Sequence, residues 1–159
     1  MMKFFLIILI SFITACSSVY QSKFDEQIPA SSYVGRGTNS GPMLIGALGA
    51  TGLAVGIAID QGIAKDFDAS IKSHQPSFHI RIQDSLNTLF LGKPFSIEKI
   101  SFTGVRGNDD LVDANVTFTS EDDEIEHQFE LRNIDFNKLK TTPIFWQELE
   151  LSILEKIKK

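Results

Sequence analysis

The rhythm of apolar and polar positions changes several times along the chain, and each rhythm predicts an element. Phe4 to Ile13 is an apolar run broken only by Ser11. Ser17 to Ser40 shows no sustained period and carries a breaker cluster at Gly35-Arg36-Gly37. Gly41 to Gly62 is apolar again, but built largely from Gly and Ala. From Pro76 onward the pattern is that of a folded domain. Phe78, Ile82, Leu86, Leu89 and Phe90 recur at helical spacing, and Gly92 with Pro94 ends that helix. Alternation then predicts strands. Ile100 and Phe102 mark one from about Phe95 to Val105, with a turn over Gly104 to Asp110. Val112, Ala114, Val116 and Phe118 mark the next, and Ile125, His127, Phe129 and Leu131 the third. Trp146, Leu149, Ile153 and Ile157 form the stripe of a closing helix, with Thr142 as its cap and Pro143 at its first position.

The expected fold class is therefore α+β. A long small-residue helix is followed by a helix, a three-stranded antiparallel meander and a C-terminal helix, with helices covering one face of the sheet. The expected organisation is a signal segment over 1–15, a flexible tether over 16–40, the long helix over 41–73 and a small α+β domain over 76–159.

The small-residue segment is the most unusual part. No charged residue occurs between Gly37 and Ile59, and Gly46, Ala50, Ala54, Ala58 and Gly62 fall four apart. A larger apolar row runs beside them through Leu44, Leu48, Val55, Ile59, Ile63, Phe67 and Ile71. Both rows fit one helix from about Met43 to Ser73, roughly 45 Å long at ~1.5 Å per residue. Glycine costs a helix about 1 kcal/mol per position relative to alanine. That cost is offset where small residues let another backbone approach closely. The segment resembles the glycine-zipper stretches of several bacterial envelope lipoproteins and surface antigens. Three readings stay open: packing on the protein's own helices or a second copy, insertion into a bilayer, or a flexible loop.

The N-terminus carries an address. Met1-Met2-Lys3 is a positive start, and the ten residues after it rise only about 15 Å as a helix, half of a bilayer core. A short apolar run that ends in small residues has the parts of a secretory signal. Ile13-Thr14-Ala15-Cys16 resembles the lipobox of bacterial lipoproteins. The resemblance implies a diacylglyceryl group on the Cys16 thiol, cleavage before Cys16, and acylation of the new amino terminus. Two or more acyl chains anchor a protein firmly, whereas one does so only marginally. In enteric-type lipoproteins an Asp after the Cys retains the protein at the inner membrane. Ser17 stands here, so the resemblance implies a protein on the outer membrane, facing the periplasm.

Composition narrows the function. The formal net charge of −5 argues against an electrostatic nucleic-acid binder. The single Cys cannot make an internal disulfide, and acylation would account for it. His74, His79 and His127 lack zinc-site spacing, and Glu121 to Glu124 lacks the alternating ligands and Gly of a calcium loop. No serine sits in a G-x-S-x-G elbow, and no glycine run is followed by Lys-Ser/Thr. No catalytic constellation, metal set or cofactor motif is expected. The expected role is structural or protein-binding, with an envelope protein or a second copy as partner. The other reading is a membrane-inserting oligomer, a pore or export component, assembled through the Gly/Ala helix. Leu91-Gly92-Lys93-Pro94 resembles the helix-to-strand link of small ααβββ outer-membrane assembly lipoproteins, although the C-terminal helix departs from them. Fold analogy does not carry function.

Overall fold

A computed structural model describes residues 28–120 and 125–158. Ile13, Thr14, Ala15, Cys16 and the acidic run at 121–124 lie outside the described residues. The architecture is α+β. Strand β1 (Ser32–Val34) leads into a short helix α1 (Arg36–Asn39), then α2 (Gly41–Leu48) and the long α3 (Ala50–Leu89). Strands β2 (Phe95–Gly104), β3 (Leu111–Ser120) and β4 (Glu126–Asp135) follow, then α4 (Phe136–Thr141) and α5 (Ile144–Ile157).

The sheet has four strands in the order β1-β2-β3-β4. The last three form the antiparallel meander read from alternation. The first pairs parallel to β2, with Tyr33 opposite Phe102. The three-stranded expectation is thus corrected to a mixed four-stranded sheet. The added strand comes from a stretch whose composition reads as tether. It is only three residues long and turns one side chain inward, so alternation has no room to register. That side chain is Tyr33, buried edge-on against Phe67 and Phe136 at ring-centroid distances of 5.7 and 6.2 Å.

The two expected N-terminal helices are also divided differently. A helix beginning near Met43 does begin, but it stops at Leu48. Gly49 adopts φ 62°, ψ −145°, a left-handed turn open to glycine, and the chain folds back. A Cβ on Gly52 would lie 2.2 Å from the Leu44 carbonyl oxygen, so α2 rests directly on the first turns of α3. At the other end, α3 runs unbroken through Pro76, where a boundary was expected. Proline removes one i→i−4 bond, a cost of about 3 kcal/mol. Here packing overrides it. Phe67 and Ile71 before the proline and Ile82 and Leu86 after it are all buried, and Trp146 Nε1 donates to the Ile71 carbonyl at 2.8 Å.

The core lies between one face of the sheet and the layer of α3 and α5. Phe67 of α3 meets Phe102 of β2 at 4.9 Å, and Phe145 of α5 approaches the same ring at 5.9 Å. Phe118 and Phe129 pack edge-on across β3 and β4, and Phe90 stacks on Phe95 where α3 gives way to β2. Among the described residues the other face of the sheet is polar and uncovered. Helix α4 was not expected. Asp135 caps it, accepting from the amides of Asn137 and Lys138 at 2.9 Å. Thr142 therefore closes α4 instead of capping α5, which starts after Pro143.

One buried carboxylate fastens the N-terminal elements to α3. Asp60 is 4% exposed. Its Oδ1 accepts from the Gly37 amide at 2.8 Å, and its Oδ2 accepts from the amides of Gly35 at 3.2 Å and Thr38 at 3.0 Å. The Thr38 hydroxyl donates to Oδ2 as well. Burial alone would raise the Asp60 pKa, but the Thr38 hydroxyl and the three amides outweigh it and hold the carboxyl below its ordinary 3.8. Just beside it, a Cβ on Gly37 would lie 1.9 Å from the Gly56 carbonyl oxygen, and one on Gly56 2.7 Å from the Gly37 oxygen. The two backbones touch where the carboxylate binds.

Two outcomes follow for stability. Gly56→Ala forces α1 off α3 and costs about 1–3 kcal/mol. Gly62→Ala, on the same helix with nothing within 4 Å of the added methyl, stabilises by up to about 1 kcal/mol; denaturant titration of both variants should give opposite signs. Asp60→Asn should cost about 2 kcal/mol at neutral pH, where charged-group hydrogen bonds are lost. A depressed carboxyl pKa contributes stability above its ordinary value and loses it as pH falls through the folded value. The gap between wild type and Asp60→Asn should therefore shrink below about pH 4. A constant gap from pH 7 to pH 2 would show that the charge is not what holds the clamp.

Candidate functional site

The feature that the fold leaves unexplained is the hairpin of α2 and the first turns of α3. Its side chains carry no charge, and among the described residues most of them are left uncovered. Met43 is 82% exposed and Leu48 55%. Ile45, Leu53, Val55, Ile57 and Ile59 are also exposed. Only Gly52, Gly56 and Asp60 of this part of α3 are buried, and they make the seam with α1 and α2.

The expected packing stripe is placed on the outside. Gly46, Ala50, Ala54, Ala58 and Gly62 are all exposed, and open space surrounds both Gly46 and Gly62. Gly46 is separated from the rest by the turn at Gly49. Within the chain, close packing instead uses a second ladder, Gly52 and Gly56, whose next rung is Asp60. That ladder lies two residues out of phase, on the opposite side of the helix. The signal that could have found it is the lone carboxylate that ends the charge-free run, four residues after a glycine.

The titratable side chains do not converge. His74 and His79 lie on α3, and His127 on β4. His74 Nδ1 donates to the Ser70 carbonyl at 2.8 Å, a bond within its own helix. His127 packs edge-on to Phe90 at 4.7 Å, and burial, then the Lys156 charge, hold its pKa down so that the neutral ring is favoured. Among the described residues no group of three or more His, Cys, Asp and Glu could hold a metal ion. Tyr33 is held protonated by burial, against the opposing hydrogen bond from the Arg36 amide to its oxygen at 3.2 Å.

Several hollows carry polar groups, and two of them lie beside β3 and β4. One, of about 80 Å³, lies under Leu91 and includes His127, Lys93 and Ser120. Ser120 Oγ is buried without a hydrogen-bond partner among the described residues. His127 sits opposite Phe118 in the β3–β4 register, and no hydrogen bond joins it to Ser120. The other hollow, of about 220 Å³, lies on the open face of the sheet between Glu98, Lys99, Asn115 and Gln128. It is a wide polar surface, bordered by β4 at the outer edge. Lys156 covers part of that edge by donating to the Gln128 carbonyl at 3.3 Å.

The expected lipid-attachment residue Cys16 and the lipobox-like Ile13, Thr14 and Ala15 lie outside the described residues. Compared with known proteins, the chain matches no family model, no curated protein and no solved structure.

Proposed function

We propose that the protein is a lipid-anchored component of the cell envelope with a structural or protein-binding role, held by acyl chains on Cys16 at the outer membrane and facing the periplasm. One observation carries this reading: Ile13-Thr14-Ala15-Cys16 closes a short apolar run that is too short to cross a bilayer and contains the chain's only thiol. Ile28, packed against the core, is twelve residues beyond Cys16, so an anchored chain keeps the body beside the membrane. The uncovered polar face of the sheet supports a binding role, offering charged and amide side chains to an envelope partner. On this reading the protein is not an enzyme, takes no cofactor and binds no nucleic acid.

A second reading, a membrane-inserting oligomer that serves as a pore or export component, draws on the exposed ladder of Gly46, Ala50, Ala54, Ala58 and Gly62. Helices can meet closely along such a ladder. Under that reading Ala54→Leu abolishes oligomers in detergent.

Cys16→Ser should leave residues 1–15 attached, take up no labelled palmitate and lose outer-membrane fractionation. Mass spectrometry and membrane fractionation read these outcomes. A Cys16→Ser protein that is cleaved and fractionated normally would overturn the anchor.

A further inference from the structure

The exposed hairpin points to one occupant. We propose that residues 41–59 enter a single leaflet of the bilayer, with the Gly49 turn leading, so that the protein meets the membrane through a monotopic hairpin as well as through its acyl chains. The inference rests on the anchored reading for its proximity to a membrane, but not for its chemistry.

The shape of the apolar surface distinguishes lipid from a protein partner. A helix that docks on protein needs a stripe about 100° wide. On α3, Leu53, Ala54, Val55, Ile57, Ala58 and Ile59 are all exposed. At ~3.6 residues per turn they cover about two thirds of the circumference, leaving only the Gly52–Gly56–Asp60 seam. Met43, Ile45, Ala47 and Leu48 extend the same surface around α2. Thr51 is the one exposed polar side chain on it, and so broad an apolar surface suits a medium that surrounds it.

Depth agrees. The eight residues of α2 rise about 12 Å and Ala50 to Ile59 about 15 Å, half of a hydrocarbon core about 30 Å thick. No helix among the described residues is long and apolar enough to cross a membrane, and a one-leaflet hairpin needs none. Exposed polar groups resume on both sides of the hairpin, with Asn39 and Ser40 before it and Gln61 and Lys65 after it. At the turn two amides bond within the chain: that of Gly49 donates to the Ile45 carbonyl at 2.7 Å and that of Gly52 to the Gly49 carbonyl at 3.0 Å. Each such bond lowers the cost of bringing the turn into lipid.

The anchor reaches the same surface. Ser31 enters the body beside α3, its amide donating to Asp68 Oδ1 at 2.8 Å and its hydroxyl to the Ala64 carbonyl at 3.3 Å. Asp68 lies nine residues past Ile59, about 14 Å along the helix. Twelve residues link Cys16 to Ile28 and span at most about 40 Å. Acyl chains and hairpin can therefore occupy one leaflet together.

The test uses the mature, acylated protein, in which an alkylated Cys16 offers no thiol. Leu53→Cys, and Ile80→Cys on the body as control, each carry a polarity-sensitive fluorophore. They are reconstituted with vesicles of phosphatidylethanolamine and phosphatidylglycerol. The Leu53 label should shift to the blue, become shielded from aqueous iodide and be quenched by lipids brominated on their acyl chains. The Ile80 label should do none of these. Adding Ile57→Asp should abolish the shift at 53 while the protein stays bound to vesicles through Cys16. A Leu53 label that remains open to iodide on vesicles overturns the proposal. So does a label shielded equally without lipid in a dimer captured by crosslinking, which would make a second copy the occupant. Thiol reactivity of the unsubstituted chain separates the two readings. A reactive Cys16 with a shifted Leu53 label removes the anchor and leaves the hairpin. An unreactive Cys16 with an accessible Leu53 label removes the hairpin alone.

Discussion

The N-terminal half of the fold depends on a single negative charge. Asp60 gathers three backbone amides and a hydroxyl into one carboxylate; the amides belong to Gly35, which joins β1 to α1, and to Gly37 and Thr38 of α1 itself. Charge-assisted bonds of this kind are roughly twice as strong as neutral ones. Without that charge three donors would face the seam with α3 unpaired. With it, β1 is held at the sheet edge, Tyr33 is wedged among Phe67 and Phe136, and Gly37 is pressed against Gly56. Arg36 closes the same corner, its guanidinium 3.6 Å from the centroid of the Phe136 ring and donating to the Asp109 carbonyl.

Much of the fold was legible because the C-terminal strands are long and half-buried. Val112, Ala114, Val116 and Phe118 alternate over ten residues, and the structure turns those four toward the helices. β1 was not legible because three residues cannot establish a period. The unbroken α3 was not legible because local rules at Pro76 point to a boundary, whereas Trp146, distant in sequence, supplies what keeps the helix together. The fold-back at Gly49 was hidden for a related reason. A single glycine among several gives no sign of which one will adopt a left-handed turn.

Spacing alone did not pick out the seam that forms within the chain. Two four-residue ladders run through the small-residue segment, and the more regular one faces out. The packed one is interrupted by an acid, which reads as a polar break in a chemical pattern. In three dimensions that acid is the ladder's fastening. The lack of charge across the hairpin was legible from the first pass along the chain. Its exposure was not, because composition does not say which apolar residues the chain's own fold will cover.

The length of α3 has a mechanical meaning. One uninterrupted helix begins in the apolar hairpin and ends beneath the sheet, and Leu89 lies thirty residues from Ile59, about 45 Å along the axis. Both ends belong to one continuous helix, braced around Pro76 by the buried side chains of Phe67, Ile71, Ile82 and Leu86. Whatever grips the hairpin therefore also sets the height and heading of the far end, as a mast fixes the position of what it carries.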